Sequence, residues 1–233
     1  MRIRVPLWKN PASPSRTKHL KPIAQLPPWC DFFTGYKEKL SDLIYFIYLP
    51  ILCFSDKIGK VLKGDSISNN LLVLQSDFGL VDGAVSAMIG VALQESADLV
   101  VHHLTHDITP YNIFEGSYRL FQTVEYWPEG TTFVSVVDPG VGSKRRSVVA
   151  LTEKNQYIVT PDNGTLSFIK QHVGIKAVRE ISEVANRRAN TEHSYTFHGR
   201  DVYAYTGAKL ASGHIPFEEV GPLLKVEDIV EIP

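Results

Sequence analysis

An α/β fold, a largely parallel sheet with helices on both faces, is predicted for residues 71–233 by three observations. Short apolar runs alternate along this stretch with longer amphipathic ones, the pattern of successive βαβ units. Two of the apolar runs end on or beside an aspartate, Asp77 and Asp138, and in such sheets ligands bind beyond the carboxyl ends of strands. The 233-residue chain is 44% hydrophobic and 21% charged, which is ordinary for a globular domain.

Taken in order, Leu71–Gln75 (LLVLQ) reads as a buried strand that ends in the turn Ser76-Asp77-Phe78-Gly79. Val85, Met88, Ile89, Ala92 and Leu93 then recur with helical spacing. Leu99–Leu104 is the next strand, and Asn112 caps a helix expected from Ile113 to Tyr126. Thr132–Val137 is a strong strand, and Ser147–Leu151 and Tyr157–Thr160 are short β runs. Pro161-Asp162-Asn163-Gly164 is a turn leading into a helix near Leu166–His172. Ala177–Ile181 is a further strand and Arg200–Ala211 a further helix.

Residues 1–70 are set apart as an N-terminal extension. Residues 1–30 carry six basic residues, from Arg2 to Lys21, and no acid. Leu43–Phe54 (LIYFIYLPILCF) has no charge, but a membrane span needs about 20 apolar residues, and Pro50 interrupts this run. It also starts too far into the chain for a signal peptide. A buried or amphipathic helix and a surface anchor both remain open. Cys30 and Cys53 form no Cys-x-x-Cys pair, so the cytoplasm is the default location. The net charge of −1 provides no field for nucleic acid or an anionic membrane.

Three segments bear chemistry. Asp138–Arg146 (DPGVGSKRR) has two glycines that let backbone approach a ligand and three cations, Lys144, Arg145 and Arg146. It matches no phosphate-loop pattern, and a hairpin with a basic tip fits it equally well. In Phe197–Asp201 (FHGRD), His198 precedes a glycine at a helix entrance, where free amides face a ligand; a structural histidine with an Arg200–Asp201 ion pair is the plainer alternative. His102, His103, His106 and Asp107 suggest a metal site only superficially, because His102 and His103 point to opposite faces of a strand and the spacing matches no zinc pattern. No metal is expected.

In combination the motifs are specific. SDFG at Ser76–Gly79, ITPYN at Ile108–Asn112, EGSY at Glu115–Tyr118, VVDPGVGSKRR at Val136–Arg146, PDNG at Pro161–Gly164 and TFHGRD at Thr196–Asp201 together resemble the S-adenosylmethionine hydrolase (S-adenosylmethionine hydroxide adenosyltransferase) family. That family is related to the fluorinase and chlorinase. The resemblance spans Leu71 to Leu224 and implies the family's N-terminal α/β domain.

What the resemblance implies is hydrolysis of S-adenosylmethionine to adenosine and L-methionine, by water or hydroxide attacking the ribose C5′. By motif position Asp138, Arg145 and His198 are the catalytic set that orients and activates the water. Asp77 binds the ribose hydroxyls, and Tyr111, Asn163 and Gly199 line the substrate site. S-adenosylmethionine is substrate, and no cofactor is implied. Two other functions stand beside hydrolysis: a non-catalytic remnant that binds an adenosine-like ligand or only assembles, and a halide-using adenosyltransferase. The halogenases lack the Asp–Arg–His set, so its presence favours hydrolysis. The family's homotrimer and its C-terminal β-barrel domain, which contributes to the adenine pocket, are also implied. The residues after Leu224 are too few to form a barrel, which is therefore expected to be absent from this chain, with the adenine pocket incomplete.

Overall fold

The computed structural model describes residues 68–191, 193 and 196–233. The extension up to residue 67, with its apolar run 43–54, lies outside the described residues. Among the described residues seven strands form one sheet: β1 (Leu71–Ser76), β2 (Val100–Thr105), β3 (Thr132–Val136), β4 (Ser147–Thr152), β5 (Tyr157–Pro161), β6 (Ile175–Glu180) and β7 (Leu223–Leu224). Their order is β2-β1-β3-β5-β4-β6-β7.

The sheet has two halves. β2, β1, β3 and β5 run parallel, whereas β4, β6 and β7 join by antiparallel pairing. Chain connectivity explains the change, because β4 and β5 are joined by a tight turn at Glu153–Gln156 and a parallel crossover needs a dozen or more residues. Asp77 and Asp138 follow the neighbouring strands β1 and β3, both in the parallel half. Their side chains therefore converge at one edge of the sheet.

Alternation along the strands divides the core into two layers. On one face Leu72, Leu74, Val134 and Val136 pack with Met88 and Ala92 of α1 (Ala84–Glu95) and with Tyr203 and Ala208. On the other, Val73, Phe133, Val148 and Ile158 pack with Leu120 and Val124 of α2 (Ile113–Val124), and with Leu166 and Ile169. Burying each such large side chain stabilises the fold by roughly 1.5–3 kcal/mol. Both faces are covered, as the sequence pattern predicts.

Asn112 caps α2 as expected: its Oδ1 accepts the Glu115 N–H at 3.0 Å, while Glu115 Oε2 accepts the Thr109 N–H at 3.0 Å. Two exchanged bonds of this kind satisfy donors at the helix entrance and in the preceding loop. A short helix α3 (Glu183–Asn186) follows β6. Arg200–Ala211 is helical as expected, but it begins as a wider π-helix, Gly199–Ala204, before continuing as α4 (Tyr205–Ala211). The helix expected near Leu166–His172 is also present, wound as a second π-helix over Ile169–Val173. Gly207 lets α4 lie directly on the sheet, because a Cβ there would come within 2.4 Å of Val134 Cγ2.

Candidate active site

The loop after β3 brings together residues that are distant in sequence. Val141 N–H donates to the Asp138 carbonyl at 3.3 Å, and Ser143 N–H to the Gly140 carbonyl at 3.0 Å. These successive turns return Arg145 to the carboxylate it left. Arg145 Nε donates to Asp138 Oδ1 at 2.8 Å and its Nη2 to Oδ2, a fork closed on both oxygens. Nη1 donates to Ser147 Oγ at 3.0 Å, and Nη2 lies 2.9 Å from His198 Nδ1. The Arg145 and Asp138 side chains are 10% and 6% exposed, so solvent and salt screen the pair weakly.

Electrostatics follow from this packing. Burial disfavours the Arg145 cation, but the hydrogen bond to Asp138 and the surrounding negative charge outweigh it, and the guanidinium pKa is raised. His198 is 4% exposed. Burial lowers its pKa; Arg145 and Arg187 push in the same direction, while Glu183 and Asp138 oppose them. The imidazole is therefore neutral at pH 7. Tyr203, whose hydroxyl is 3.1 Å from Ser147 Oγ and whose ring centroid is 5.6 Å from Arg145 Cζ, is held protonated by burial.

Two members of the cluster were not found in the sequence. Arg187 Nη2 donates to Glu183 Oε2 at 2.5 Å and lies 2.7 Å from His198 Nε2. Read along the chain, Glu183 and Arg187 form an ordinary i,i+4 pair, which usually marks a solvated helix face. Only the three-dimensional fold places that pair against the histidine. Two carboxylates, Asp138 and Glu183, thus balance two guanidiniums, Arg145 and Arg187, around one neutral ring.

Asp77 stands at the end of β1, where its Oδ2 accepts the Tyr111 N–H at 2.8 Å. Tyr111 has φ of 65°, a conformation costly to a bulky residue and concentrated at functional sites. Asp77, Phe78, Tyr111, Asp138, Thr196 and Gly199 line a cleft of about 360 Å³. A neighbouring hollow of about 640 Å³ shares Phe78, Thr196 and Gly199 and continues past Asp82, Met88 and Arg200. Both volumes lie in the range of small-molecule sites. Gly199 borders both and packs closely on Phe78: a Cβ there would stand 3.0 Å from Phe78 Cζ.

Of the residues singled out from the sequence, Asp77, Tyr111, Asp138 and Gly199 border the cleft, and Arg145 and His198 reach it through Asp138. Asn163 is engaged elsewhere: its Nδ2 donates to the Val137 carbonyl at 2.9 Å, and its Oδ1 accepts from Thr165 Oγ1 at 2.8 Å. It supports the strand behind Asp138. The basic run of the β3–β4 loop divides three ways, with Lys144 exposed, Arg145 on Asp138 and Arg146 on Asp162. Arg200 pairs with Asp201 through two hydrogen bonds. His102 packs against Trp127, while His103 faces His106; among the described residues no group of three or more His, Cys, Asp or Glu is arranged to hold a metal. Among them, too, no helix is long and apolar enough to cross a membrane.

Comparison with known proteins places the chain in a family. Residues 72–221 match the family described as SAM hydroxide adenosyltransferase N-terminal domain. The chain is 36% identical over 176 residues to the (R)-S-adenosyl-L-methionine hydrolase of Methanocaldococcus jannaschii, covering 73% of this chain and 64% of that protein. It is 38% identical to the hydrolase of the same name from Salinispora arenicola, covering 68% of this chain and 59% of that one. A fluorinase from Actinopolyspora mzabensis is 28% identical, with 71% and 62% covered. The crystal structure of an uncharacterized conserved protein from Thermotoga maritima superposes with a TM-score of 0.65 at 31% identity, covering 70% of this chain and 61% of that one. The chain spans less than two thirds of the length of the curated relatives it matches. With the family match over residues 72–221 and hydrolase relatives at 36–38% identity, the chain belongs to the SAM hydroxide adenosyltransferase family through that family's N-terminal domain.

Proposed function

We propose that the protein hydrolyses S-adenosylmethionine to adenosine and L-methionine. The observation that carries this reading is the Asp138–Arg145–His198 cluster, joined by hydrogen bonds at the margin of a cleft that Asp77 also borders. The reaction breaks the bond between C5′ and the sulfonium sulfur and forms a bond from C5′ to water oxygen. Methionine departs as a neutral thioether, so the leaving group needs no general acid. Barrier lowering then rests on a nucleophile held in line with the breaking bond, about 3 Å from carbon, in a site from which bulk water is excluded.

Each residue has a role suited to its chemistry. Both Asp138 oxygens accept from Arg145, but a carboxylate oxygen has two lone pairs, so Asp138 can also accept a hydrogen bond from the attacking water and receive its proton. Arg145 stabilises the charge developing on that oxygen. Neutral His198 has one acceptor nitrogen and stands between the Arg145 and Arg187 guanidiniums, 2.9 and 2.7 Å from their Nη2 atoms. Asp77, an acceptor-only group when ionised, takes the ribose hydroxyls, and Tyr111 packs along the sugar or methionine chain. None of these steps calls for a cofactor or metal.

Exposed apolar side chains, Leu80 and Val81 in the loop after Asp77, Tyr111 on the cleft and Phe197 on the neighbouring hollow, support an assembly in which a further protein surface closes the cleft, and a homotrimer is the form we propose. The cytoplasm is the proposed location, since Cys30 and Cys53 sit in no disulfide-type spacing. The deciding experiment incubates the purified protein with S-adenosylmethionine and follows products by chromatography. Stoichiometric adenosine and methionine are expected, independent of halide. No adenosine above a buffer control, or 5′-halo-adenosine appearing on addition of halide, overturns the proposal.

A further inference from the structure

His106 is a buried histidine outside the reacting cluster, 4% exposed, in the loop between β2 and α2. Its Nδ1 lies 2.7 Å from Ser76 Oγ and its backbone carbonyl accepts the Gly79 N–H at 2.8 Å. On its far side, Nε2 lies 2.8 Å from Nδ1 of His103. Ser76 Oγ is in turn 3.4 Å from the Phe78 N–H. Residues 76 and 79 bracket Asp77 and Phe78, both of which line the cleft.

We infer that His106 is a positioning residue for Asp77, clamping the Ser76–Gly79 turn at both ends and so setting where the carboxylate meets the substrate's ribose. The inference rests on the hydrolase reading of Asp77. Its physical basis is that the turn has few restraints of its own: Gly79 adopts a φ of 69°, and a single glycine gives a loop wide freedom. The β2–α2 loop supplies the missing restraints at three points: the His106 ring on Ser76, the His106 carbonyl on Gly79, and the Tyr111 N–H on Asp77 Oδ2.

A neutral His106 ring carries one proton, so it donates through one nitrogen and accepts through the other, linking Ser76 Oγ to His103 Nδ1. This chain needs a neutral ring. Burial holds the His106 pKa down to about 4, with neighbouring His103 acting in the same direction and Asp107 against both. The ring of the clamp therefore stays neutral through the neutral range.

The test compares His106→Leu, Ser76→Ala and His106→Asn in the full chain. Asparagine offers a side-chain oxygen near the position of Nδ1, whereas leucine offers none. Two measurements are made: amide hydrogen exchange at Phe78 and Gly79 without substrate, and kcat and KM with S-adenosylmethionine. Losing one buried hydrogen bond corresponds to about tenfold. Exchange at the two amides and KM are both expected to rise by about that factor in the leucine and alanine variants. In both, kcat and the protection of β3 amides stay within about threefold of wild type, and His106→Asn recovers most of the loss. Equal behaviour of Asn and Leu, or a fall confined to kcat, overturns the inference. If the wild-type protein releases no adenosine, the hydrolase reading fails by itself. Exchange then decides the clamp, and unchanged Phe78 and Gly79 protection in both leucine and alanine variants rejects it.

Discussion

Arg145 joins Asp138 to His198: Nε and Nη2 close on the two carboxylate oxygens, and the same Nη2 stands 2.9 Å from His198 Nδ1. A lysine at 145 would keep the charge but could not hold three acceptors in one plane. Arg145→Lys is therefore expected to lower kcat by about a hundredfold, the loss typical of a misplaced electrostatic stabiliser, with KM changed far less. Initial rates of adenosine release measure both. Arg145→Ala is the poorer probe, because it leaves Asp138 buried without its cation, and that costs about 3–5 kcal/mol of stability. A kcat within threefold of wild type in Arg145→Lys would show that the fork is structural.

The second ion pair gives a prediction with two opposite signs. His198 is neutral because burial and the two arginines outweigh the two carboxylates. Activity should fall as pH drops through a His198 pKa lying below 6.5, since protonation would place a second cation against Arg145. Glu183→Gln removes a charge that raises this pKa, so the acid limb of the pH–rate profile should move to lower pH. Arg187→Gln removes a charge that lowers it, and the limb should move to higher pH. NMR titration of the His198 ring checks the same shifts without turnover. A general loosening of the site would move both variants in one direction.

How far the site could be read from the chain depends on the kind of signal each residue left. Asp77 and Asp138 were visible because each follows a strand, and the sheet brings strand ends together. Arg145 and His198 are 53 positions apart, and only motif order tied them to Asp138. Glu183 and Arg187 left no distinguishing mark, because an i,i+4 pair facing a histidine has the same sequence as one facing water. Asn163 was placed at the ligand only by the family resemblance, and the bond from its Nδ2 to the Val137 carbonyl left no mark in the sequence. The wide turn at Gly199–Ala204 was read as ordinary helix for a similar reason: the hydrogen-bond register of the backbone changes there without a matching change in apolar spacing.

Asp77 can be tested while its structural contact is kept. Its Oδ2 accepts the Tyr111 N–H, and the side-chain oxygen of an asparagine can do the same. The other position would become an NH₂ donor facing the ribose, where an acceptor is required. Asp77→Asn should raise KM by about ten- to a hundredfold, consistent with loss of a charged hydrogen bond worth about 1.5–3 kcal/mol, and should leave the melting temperature within a few degrees. Calorimetric titration with adenosine gives the binding loss directly. Equal adenosine affinity in wild type and variant would remove Asp77 from the ribose site.

Stability should depend on pH through His106. Its pKa is about 4 in the fold against 6.5 for the unperturbed group. Between those values the unfolded chain takes up a proton that the folded chain excludes. Stability is therefore complete above about pH 6.5 and falls as pH drops towards 4; below that the contribution is constant. The linked loss approaches about 3.5 kcal/mol below pH 4, at roughly 1.4 kcal/mol per pKa unit. His106→Asn cannot take up this proton, so its urea-unfolding free energy should fall less than that of wild type between pH 7 and pH 4.5. Parallel declines in the two proteins would mean that His106 is protonated in the fold.

Gly207 gives the sharpest test of how the helical layer is seated. A methyl group there would stand 2.4 Å from Val134 Cγ2 and 3.3 Å from Leu72 Cδ1, both on interior strands of the sheet. In an exposed helix, exchanging glycine for alanine stabilises by up to about 1 kcal/mol. Here the contact lies well inside van der Waals distance, so α4 must lift or Val134 must leave its rotamer, at a cost of about 1–3 kcal/mol. The overlap outweighs the helical gain, and Gly207→Ala should lower the urea midpoint. Because α4 continues the turn that begins at Gly199, a lifted helix also draws His198 away from Arg145. Activity should then fall further than the unfolded fraction accounts for, whereas activity in proportion to folded protein would show that the helix and the reacting cluster move independently.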